Sequence, residues 1–269
     1  MHDEAACRRE TGRLSMLPAE RHSLILEHLQ SARSVKIEEL ASLLKVSEAT
    51  VRRDLTSLAT KGLVSRTHGG AILPTASTAF ERLYPEKRML NQEEKRRIGA
   101  EAAALVADGE TIILDSGSTT FEIARNLARH KNLTLITNDL FIAGSIAYDP
   151  STTVIVTGGV RREGFNVLVG PVAEEFLRNV NVNRSFLAAD AIDFEHGVTN
   201  ATFIEVAIKQ LIIAAAREVV LVADHTKFGS VALVKVCSLD RVHRVITDSG
   251  LAEPVMQGLQ RLGIPVTAV

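Results

Sequence analysis

The sequence predicts an α/β protein built from two domains. Its 269 residues exceed the length of one small domain, and 46% of them are hydrophobic, which is enough for a sizeable core. Aromatic residues make up only 4% and Trp is absent, so Ala, Val, Ile and Leu must fill that core. From residue 92 onward, short β-branched segments alternate with helical patterns, which is typical of a mostly parallel sheet covered on both faces.

Three helical patterns and a hairpin pattern come first along the chain. Apolar residues recur at helical spacing over residues 18–30, 37–44 and 47–60. Ser47 is expected to cap the third helix and Gly62 to end it. His68, Gly69 and Gly70 separate two alternating segments within residues 63–73 and predict a β-hairpin. Residues 18–73 therefore predict a winged helix-turn-helix. In this motif the helix at residues 47–60 would enter the DNA major groove.

A second domain is predicted over residues 92–269, after a linker at residues 74–91. The linker prediction depends on Pro, Ser, Thr and mixed charges with few apolar residues. Strands are expected at residues 111–115, 133–137, 153–157, 185–189, 219–224, 242–247 and 265–269. Helices are expected at residues 93–106, 121–128, 140–147, 171–179, 204–217 and 253–262. This order puts the strand ends at one edge, where open α/β sheets bind ligands.

Six polar residues of the first domain are candidates for DNA contact: Ser47, Thr50, Arg52, Arg53, Arg66 and His68. The two hydroxyls stand at a helix start, which favours phosphate. The paired arginines can read guanine or bind phosphate, and the two hairpin residues would lie near the backbone or the minor groove. Spacing alone leaves other functions open, because amphipathic three-helix units are common. Residues 18–73 hold eight Lys and Arg against six Asp and Glu, a net charge of only +2.

The candidates for a ligand site in the second domain follow the ends of predicted strands. They are Asp115, Ser116, Gly117, Ser118, Thr119, Thr120, Asn138, Gly158, Gly159, Arg161, Asp190 and Lys227. Residues 115–120 (DSGSTT) combine small residues, hydroxyls and a helix start, which is the chemistry of a phosphate cradle. Each candidate also has a local explanation, as a turn glycine, a cap or a surface charge.

Two stretches of the first domain resemble the DeoR family of bacterial regulators. Residues 35–41 (VKIEELA) with residues 46–55 (VSEATVRRDL) are similar to the family signature, and residues 63–71 (LVSRTHGGA) are similar to its wing. In the second domain, residues 94–98, 115–120, 137–138, 158–159 and 224–229 resemble the DeoR-type effector domain, which is similar in fold to ribose-5-phosphate isomerase. Ala188 and Ala191 depart from this resemblance, since Gly is frequent at both positions. Their methyl groups narrow the expected pocket.

The resemblance implies binding to a double-stranded DNA operator, usually as a repressor. It also implies that a phosphorylated sugar or polyol effector binds the second domain and alters DNA affinity. One recognition helix reads only a half-site, so we expect a homo-oligomer, either a dimer or a tetramer.

Two other functions remain open at this point. An isomerase-like enzyme with a DNA-binding appendage could draw its acid and base from Asp190, Asp193, Glu195, His196 and Lys227. Nothing in the sequence fixes a carboxylate opposite a substrate carbon, so we expect no enzyme activity. An architectural protein that bends DNA without sensing would leave the DSGSTT segment without a purpose.

No cofactor, metal or membrane contact is predicted. The DSGSTT segment is neither a Walker A sequence nor a dinucleotide fingerprint. Cys7 and Cys237 have no Cys or His at metal-ligand spacing, and we expect no disulfide. The chain has no run of about 18 apolar residues, and its first 17 residues lack an apolar signal region. These observations predict a cytoplasmic protein.

Overall fold

The chain divides into two units, Met1–Pro74 and Thr75–Val269. The structure is a computed structural model that describes residues 16–32, 34–60, 63–72, 78 and 81–269. Cys7, the expected helix end at Gly62, the end of the predicted hairpin at Leu73 and most of residues 74–80 lie outside the described residues.

The first unit combines three helices with a small antiparallel sheet. Its helices are α1 (Pro18–Ala32), α2 (Ile37–Leu44) and α3 (Glu48–Thr60), and its strands are β1 (Ser34–Lys36), β2 (Ser65–Arg66) and β3 (Gly70–Ile72). The strands pair in the order β1-β3-β2. Buried Ile25, Leu29, Leu40, Val51 and Leu55 form the core. The three predicted helices and the hairpin are present, and β1 is an additional strand.

A single glycine allows β1 to lie against β3. A Cβ atom added to Gly70 would lie only 1.9 Å from the Val35 carbonyl oxygen. No other residue fits this close approach between the two backbones, so the glycine in the wing turn is required by packing.

The turn between α2 and α3 sets the helix-turn-helix geometry. Lys45 adopts the left-handed conformation with φ of 53°, and the amide of Val46 donates to the Ala41 carbonyl at 3.1 Å. Such a left-handed residue ends a helix because it redirects the backbone. Ser47 then precedes α3, and its hydroxyl accepts the Thr50 amide at 3.2 Å. This bond is the N-cap that the sequence predicts.

A buried ion pair fastens α1 to α3. Arg21 donates to both carboxylate oxygens of Asp54 at 2.7 and 3.0 Å, and His22 Nε2 lies 3.3 Å from one of them. Burial favours the neutral acid, but the hydrogen bonds and charge of Arg21 outweigh it, so the pKa of Asp54 lies below its ordinary value. Asp54 thus faces the interior, while the adjacent Arg52 and Arg53 stay exposed.

The second unit is built on a seven-stranded parallel sheet. Its strands are β4 (Thr111–Leu114), β5 (Thr134–Thr137), β6 (Thr153–Val156), β7 (Val160–Arg161), β8 (Leu168–Val169), β9 (Val182–Leu187), β10 (Ala191–Asp193), β11 (Gly197–Asn200), β12 (Ala216–Val222), β13 (Val234–Cys237), β14 (Arg244–Thr247) and β15 (Val266–Ala268). The large sheet has the order β15-β14-β12-β9-β4-β5-β6, and every neighbouring pair in it is parallel. β10, β11 and β13 form a small antiparallel sheet, and β7 pairs with β8.

Helices cover both faces of the large sheet. They are α4 (Tyr84–Met89), α5 (Gln92–Ala104), α6 (Ser118–Asn126), α7 (Leu140–Gly144), α8 (Pro171–Arg178), α9 (Val206–Ala215) and α10 (Glu253–Arg261). α5, α6 and α7 pack on the face that carries Ile112 and Leu114 of β4, whereas α8 and α9 pack on the face that carries Ile113. α10 packs with the small sheet over β12 and β14. The predicted mostly parallel α/β fold is confirmed.

The antiparallel strands are the elements that the sequence analysis missed. β10 and β11 contain Asp193, Gly197 and Asn200, so they lack the continuous apolar run that marks a buried parallel strand. The predicted helix at residues 204–217 also ends earlier, because β12 already begins at Ala216. Within the described ranges, no helix is long and apolar enough to cross a membrane.

Residues 81–91 differ from the linker that the sequence predicts. Residues 84–89 form α4, and Tyr84 and Leu90 are each only 6% exposed. The Tyr84 ring packs edge-on against Phe141, with ring centroids 5.6 Å apart. Tyr84 and Leu90 are too few apolar residues to give a recognisable helical pattern in a polar stretch. Their side chains are nevertheless buried in the second unit.

Replacing Asp54 with Asn tests the α1–α3 ion pair. The change leaves the Arg21 guanidinium without its charged partner, and we expect it to destabilise the first unit by about 1–3 kcal/mol. The measurement is hydrogen exchange of the α1 and α3 amides. Because the pKa of Asp54 is lowered in the folded state, its contribution is present above the unfolded pKa and is lost as pH falls through the folded pKa. Glu38→Gln, at an exposed position on α2, is the control and should leave exchange unchanged.

Candidate functional site

The exposed face of α3 carries the candidate DNA contacts. Ser47, Arg52 and Arg53 are exposed, and Thr50 is half-buried. The hydroxyls of Ser47 and Thr50 lie 3.0 Å apart at the start of the helix. One helical turn on, Arg52 pairs with Glu48 at 3.1 Å. The first amides of α3 lack helical acceptors, so this end of the helix presents positive potential to an anion.

The wing packs beside α3. Arg66 donates from Nη1 to the Thr56 hydroxyl at 3.0 Å, and His68 is exposed in the turn before β3. Arg66 is thus partly anchored to the helix, whereas the His68 ring faces solvent. All six candidate DNA contacts lie at exposed or half-buried positions of this unit.

In the second unit, Asp115 organises the loop after β4. Its carboxylate accepts the Ser116 amide at 2.9 Å, the Ala188 amide at 3.0 Å and the ammonium of Lys209. Burial opposes the charge on Lys209, but Asp115 outweighs burial and raises the pKa of Lys209. These partners make Asp115 the group that fixes the loop. Its predicted role as a ligand contact stays a prediction.

The loop after β4 leads into α6, whose first turn lies at the carboxyl edge of the large sheet. Gly117 is the N-cap, and the side chains of Ser118 and Thr119 are almost buried. The Thr120 hydroxyl donates to the Gly117 carbonyl at 2.9 Å and is therefore occupied within the helix. A Cβ on Gly117 would lie 2.9 Å from the Ala188 methyl carbon. The first amides of α6 have no helical acceptor and suit an anion.

The loop after β5 adds buried polar groups. Asn138 is 1% exposed, and its Oδ1 has no hydrogen-bond partner among the described residues. The neighbouring Asp139 accepts the amides of Phe141 and Ile142 and the Ser116 hydroxyl. Burial outweighs these bonds and raises the pKa of Asp139. A buried amide oxygen without a partner is costly, so Asn138 marks a position that a polar ligand atom or a water can occupy.

Gly158, Gly159 and Arg161 follow β6. Both glycines have positive φ, at 73° and 111°, and they turn the chain into β7. Arg161 is exposed on β7, so the structure does not place it among the buried polar groups of the edge. The next residue, Arg162, is mostly buried and pairs with two glutamates at 2.6 Å each. The sequence analysis missed it, because two adjacent arginines in a loop carry no signal for which one is buried.

Asp190 and Lys227 follow the ends of β9 and β12. Asp190 pairs with Lys87 at 2.9 Å and accepts the Ala201 amide at 3.0 Å. Burial favours the neutral acid, but the charges of Lys87 and Lys227 hold the pKa of Asp190 well below its usual range. The Lys227 side chain is half-buried and forms no hydrogen bond or ion pair within the described part of the chain, although its charge lowers the pKa values of Asp190 and Asp224. Its ammonium is therefore available to an anion.

Asp224 and Lys95 lie close to this lysine. Asp224 accepts an amide hydrogen of Asn91 at 2.8 Å. Lys95 is buried and donates to the carbonyls of Lys87 and Leu90. Burial lowers the pKa of Lys95 to about 8, against the favourable charge of Asp224. Neither Asn91 nor Lys87 was a sequence-based candidate, because both fall in the predicted linker.

These groups share one edge because parallel strands end on the same side of the sheet. β12, β9, β4 and β5 are consecutive in the sheet, so their four loops are neighbours. Strands lie about 4.8 Å apart, which puts the ends of β12 and β4 about 10 Å apart. No group of His, Cys, Asp and Glu within the described ranges could hold a metal ion. The edge is suited to anion and hydroxyl recognition.

Comparison with known proteins covers both units. Residues 21–77 match the DeoR-like helix-turn-helix domain, and residues 90–249 match the DeoR C terminal sensor domain. The transcriptional regulator GlpR of Haloferax volcanii is 36% identical over 93% of this chain and 98% of its own length. The glycerol-3-phosphate regulon repressor of Escherichia coli is 33% identical over 91% of this chain and 96% of its own length.

Among solved structures, ribose 5-phosphate isomerase A from Methanocaldococcus jannaschii aligns with 51% of this chain and 55% of its own, with a TM-score of 0.37 and 19% identity. The relatives that match along nearly the whole chain are named as transcriptional regulators and repressors, which disfavours the enzyme alternative. Two family domains and relatives above 30% identity lead to one conclusion: the chain belongs to the DeoR family of transcriptional regulators.

Proposed function

We propose that this protein is a repressor that binds its operator through α3 and the wing and is released by a phosphorylated sugar or polyol. One observation carries the ligand half of the proposal. The first turn of α6 opens at the same sheet edge as Lys227, which has no ion-pair partner within the described residues. Helix amides and an available ammonium at one edge are the groups that bind a phosphate.

The neighbouring groups specify what else the ligand carries. Ser118 and Thr119 supply hydroxyls beside the first amides of α6. A phosphate group bound there would carry nearly two negative charges at neutral pH. Asp190 and Asn138, at the adjacent strand ends, offer oxygens that accept hydrogen bonds from hydroxyl groups. A molecule with a phosphate at one end and hydroxyls at the other matches this arrangement.

The size of the edge favours a small effector. The ends of β4 and β12 are about 10 Å apart, and the Ala188 methyl fills the space beside Gly117. The repressor of Escherichia coli named for the glycerol-3-phosphate regulon supports a short phosphorylated polyol as the first compound to test.

The DNA half of the proposal implies an oligomer. One α3 helix reads a half-site, so a two-fold dimer, or a tetramer built from dimers, would match a palindromic operator. A repressor must share a compartment with the chromosomal operator that it binds. We therefore propose a cytoplasmic location. Effector binding would weaken operator binding only if the effector has different affinities for the DNA-bound and free states.

Arg53→Ala tests the assignment of α3. The variant loses a guanidinium on the exposed face of the helix, and we expect DNA affinity to fall about tenfold or more. The measurement is fluorescence anisotropy with a DNA duplex that the wild-type protein has selected from a random library. Arg178→Ala removes an exposed arginine on α8 of the second unit and is the matched control. This variant should bind the DNA duplex as the wild-type protein does. Unchanged affinity of Arg53→Ala would remove this residue from the interface.

Glu48→Gln should act in the opposite direction. Glu48 pairs with Arg52 on the DNA-facing turn, so it competes with phosphate for that guanidinium and repels the DNA backbone. We expect DNA affinity to rise roughly two- to fivefold, more for random DNA than for the selected duplex. The same anisotropy assay at several salt concentrations measures both. Weaker binding by the variant would contradict this orientation of α3.

Lys227→Ala tests the ligand site. Losing one charge-assisted hydrogen bond should weaken binding of a phosphorylated polyol about tenfold or more while leaving DNA binding intact. A thermal-shift titration with glycerol 3-phosphate, and with glycerol as the unphosphorylated control, measures the affinity. A ligand at 100 times its Kd stabilises by about 2.7 kcal/mol, which a melting curve resolves. Lys235→Ala, at an exposed lysine on β13, should behave as wild type. If Lys227→Ala and Lys235→Ala bound glycerol 3-phosphate equally well, Lys227 would be excluded from the ligand site.

A further inference from the structure

Residues 81–91, here called the strap, run across the carboxyl edge of the large sheet. The strap contacts the segments after three strands of that edge: Arg88 lies over the Phe141 ring of α7 at 4.8 Å, Lys87 pairs with Asp190 at 2.9 Å, and Asn91 donates to Asp224 at 2.8 Å. These segments follow β5, β9 and β12, the same strands whose ends carry the proposed effector site. The strap therefore lies directly beside the proposed site.

A buried ion-pair network fastens the strap. Lys87 lies 2.9 Å from Glu81 as well as from Asp190. Glu81 in turn pairs with Arg162, which reaches Glu205 at the start of α9, both at 2.6 Å. The five side chains are each between 8% and 22% exposed. Lys87 and Arg162 thus join three carboxylates into one chain of ion pairs.

Two groups of the strap have unused hydrogen-bonding capacity toward a ligand. An ammonium has three donors, and the two carboxylates paired with Lys87 account for two of them. The Tyr84 hydroxyl is buried and has no hydrogen-bond partner among the described residues. Buried polar groups of native proteins are nearly always paired, so such groups beside a proposed binding edge point to a bound partner.

We propose that Lys87 is a further effector-binding residue and that the strap closes over the phosphate when the effector binds. This inference rests on the phosphate site proposed above. An arriving phosphate attracts the third donor of Lys87 and repels Asp190, so Lys87 shifts toward the ligand and draws the strap with it. The strap also lies close to the start of the second unit, which begins at Thr75.

The test uses the full chain and inorganic phosphate as the probe, against chloride at equal ionic strength. Hydrogen exchange is followed in three regions: residues 81–91, residues 115–127 and, as an internal reference, α8. The variants are Lys87→Gln, the conservative Lys87→Arg, and Lys235→Gln as an exposed-lysine control. A thermal-shift titration of each variant gives the phosphate affinity and shows that the variant is folded.

In the wild-type protein we expect phosphate to slow exchange at least about twofold in residues 81–91 and in residues 115–127, but not in α8. Lys87→Gln should weaken phosphate binding about tenfold or more and abolish the protection of residues 81–91 even at saturation. Protection of residues 115–127 should persist at saturation. Lys87→Arg should restore the strap response, and Lys235→Gln should match wild type.

Two results would overturn the inference in different ways. Phosphate protection of residues 115–127 without any response of residues 81–91 would leave the phosphate site standing and refute closure of the strap. Wild-type affinity and strap protection in Lys87→Gln would likewise remove Lys87 from the site. No phosphate protection in any region would overturn the proposed phosphate site and this inference together.

Discussion

The buried ion pair between Lys209 and Asp115 is the constraint on which the ligand-binding edge depends. Lys209 reaches from α9 to the loop after β4, and it also donates to the Ala188 carbonyl at 3.0 Å. Asp115 in turn accepts the Ala188 amide. One charge pair thus holds a helix and two strand-end loops in register. Removing either partner would leave a buried charge alone, a loss of several kcal/mol, so this junction is far more rigid than a pair of surface loops.

That rigidity lets the neighbouring groups remain unsatisfied. The Lys227 ammonium forms no hydrogen bond or ion pair with the described residues, Asn138 has an unbonded buried oxygen, and burial lowers the pKa of Lys95 to about 8. Each of these states costs free energy, and a flexible loop would relax to remove the cost. They persist because the junction fixes the strand ends. The effector proposed above would supply the missing bonds.

Patterning predicted most of this protein, and its failures have physical causes. The apolar periodicity gave all seven parallel strands and the recognition helix, because burial on both faces of a sheet leaves a continuous apolar run. It did not give Lys87 or Asn91, since an ion pair or a hydrogen bond to a residue more than 100 positions away leaves no local signal. The same limit hides the pairing of Asp115 with Lys209, which lies 94 positions away in the sequence.

Coupling between an effector and DNA needs an element with two arrangements that each ligand biases differently, and 1–3 kcal/mol suffices for a 5- to 150-fold change in affinity. Rigid strand ends cannot supply such an element, because Lys209 and Asp115 fix them. The strap differs in kind: two apolar side chains anchor it, and the ion pairs of Lys87 with Asp190 and of Glu81 with Arg162 complete its attachment. Rearranging one charge-assisted hydrogen bond changes the free energy of the strap's attachment by about the 1–3 kcal/mol that coupling requires. In the proposal above, the strap is therefore the segment of the described second unit whose attachment a bound effector would change.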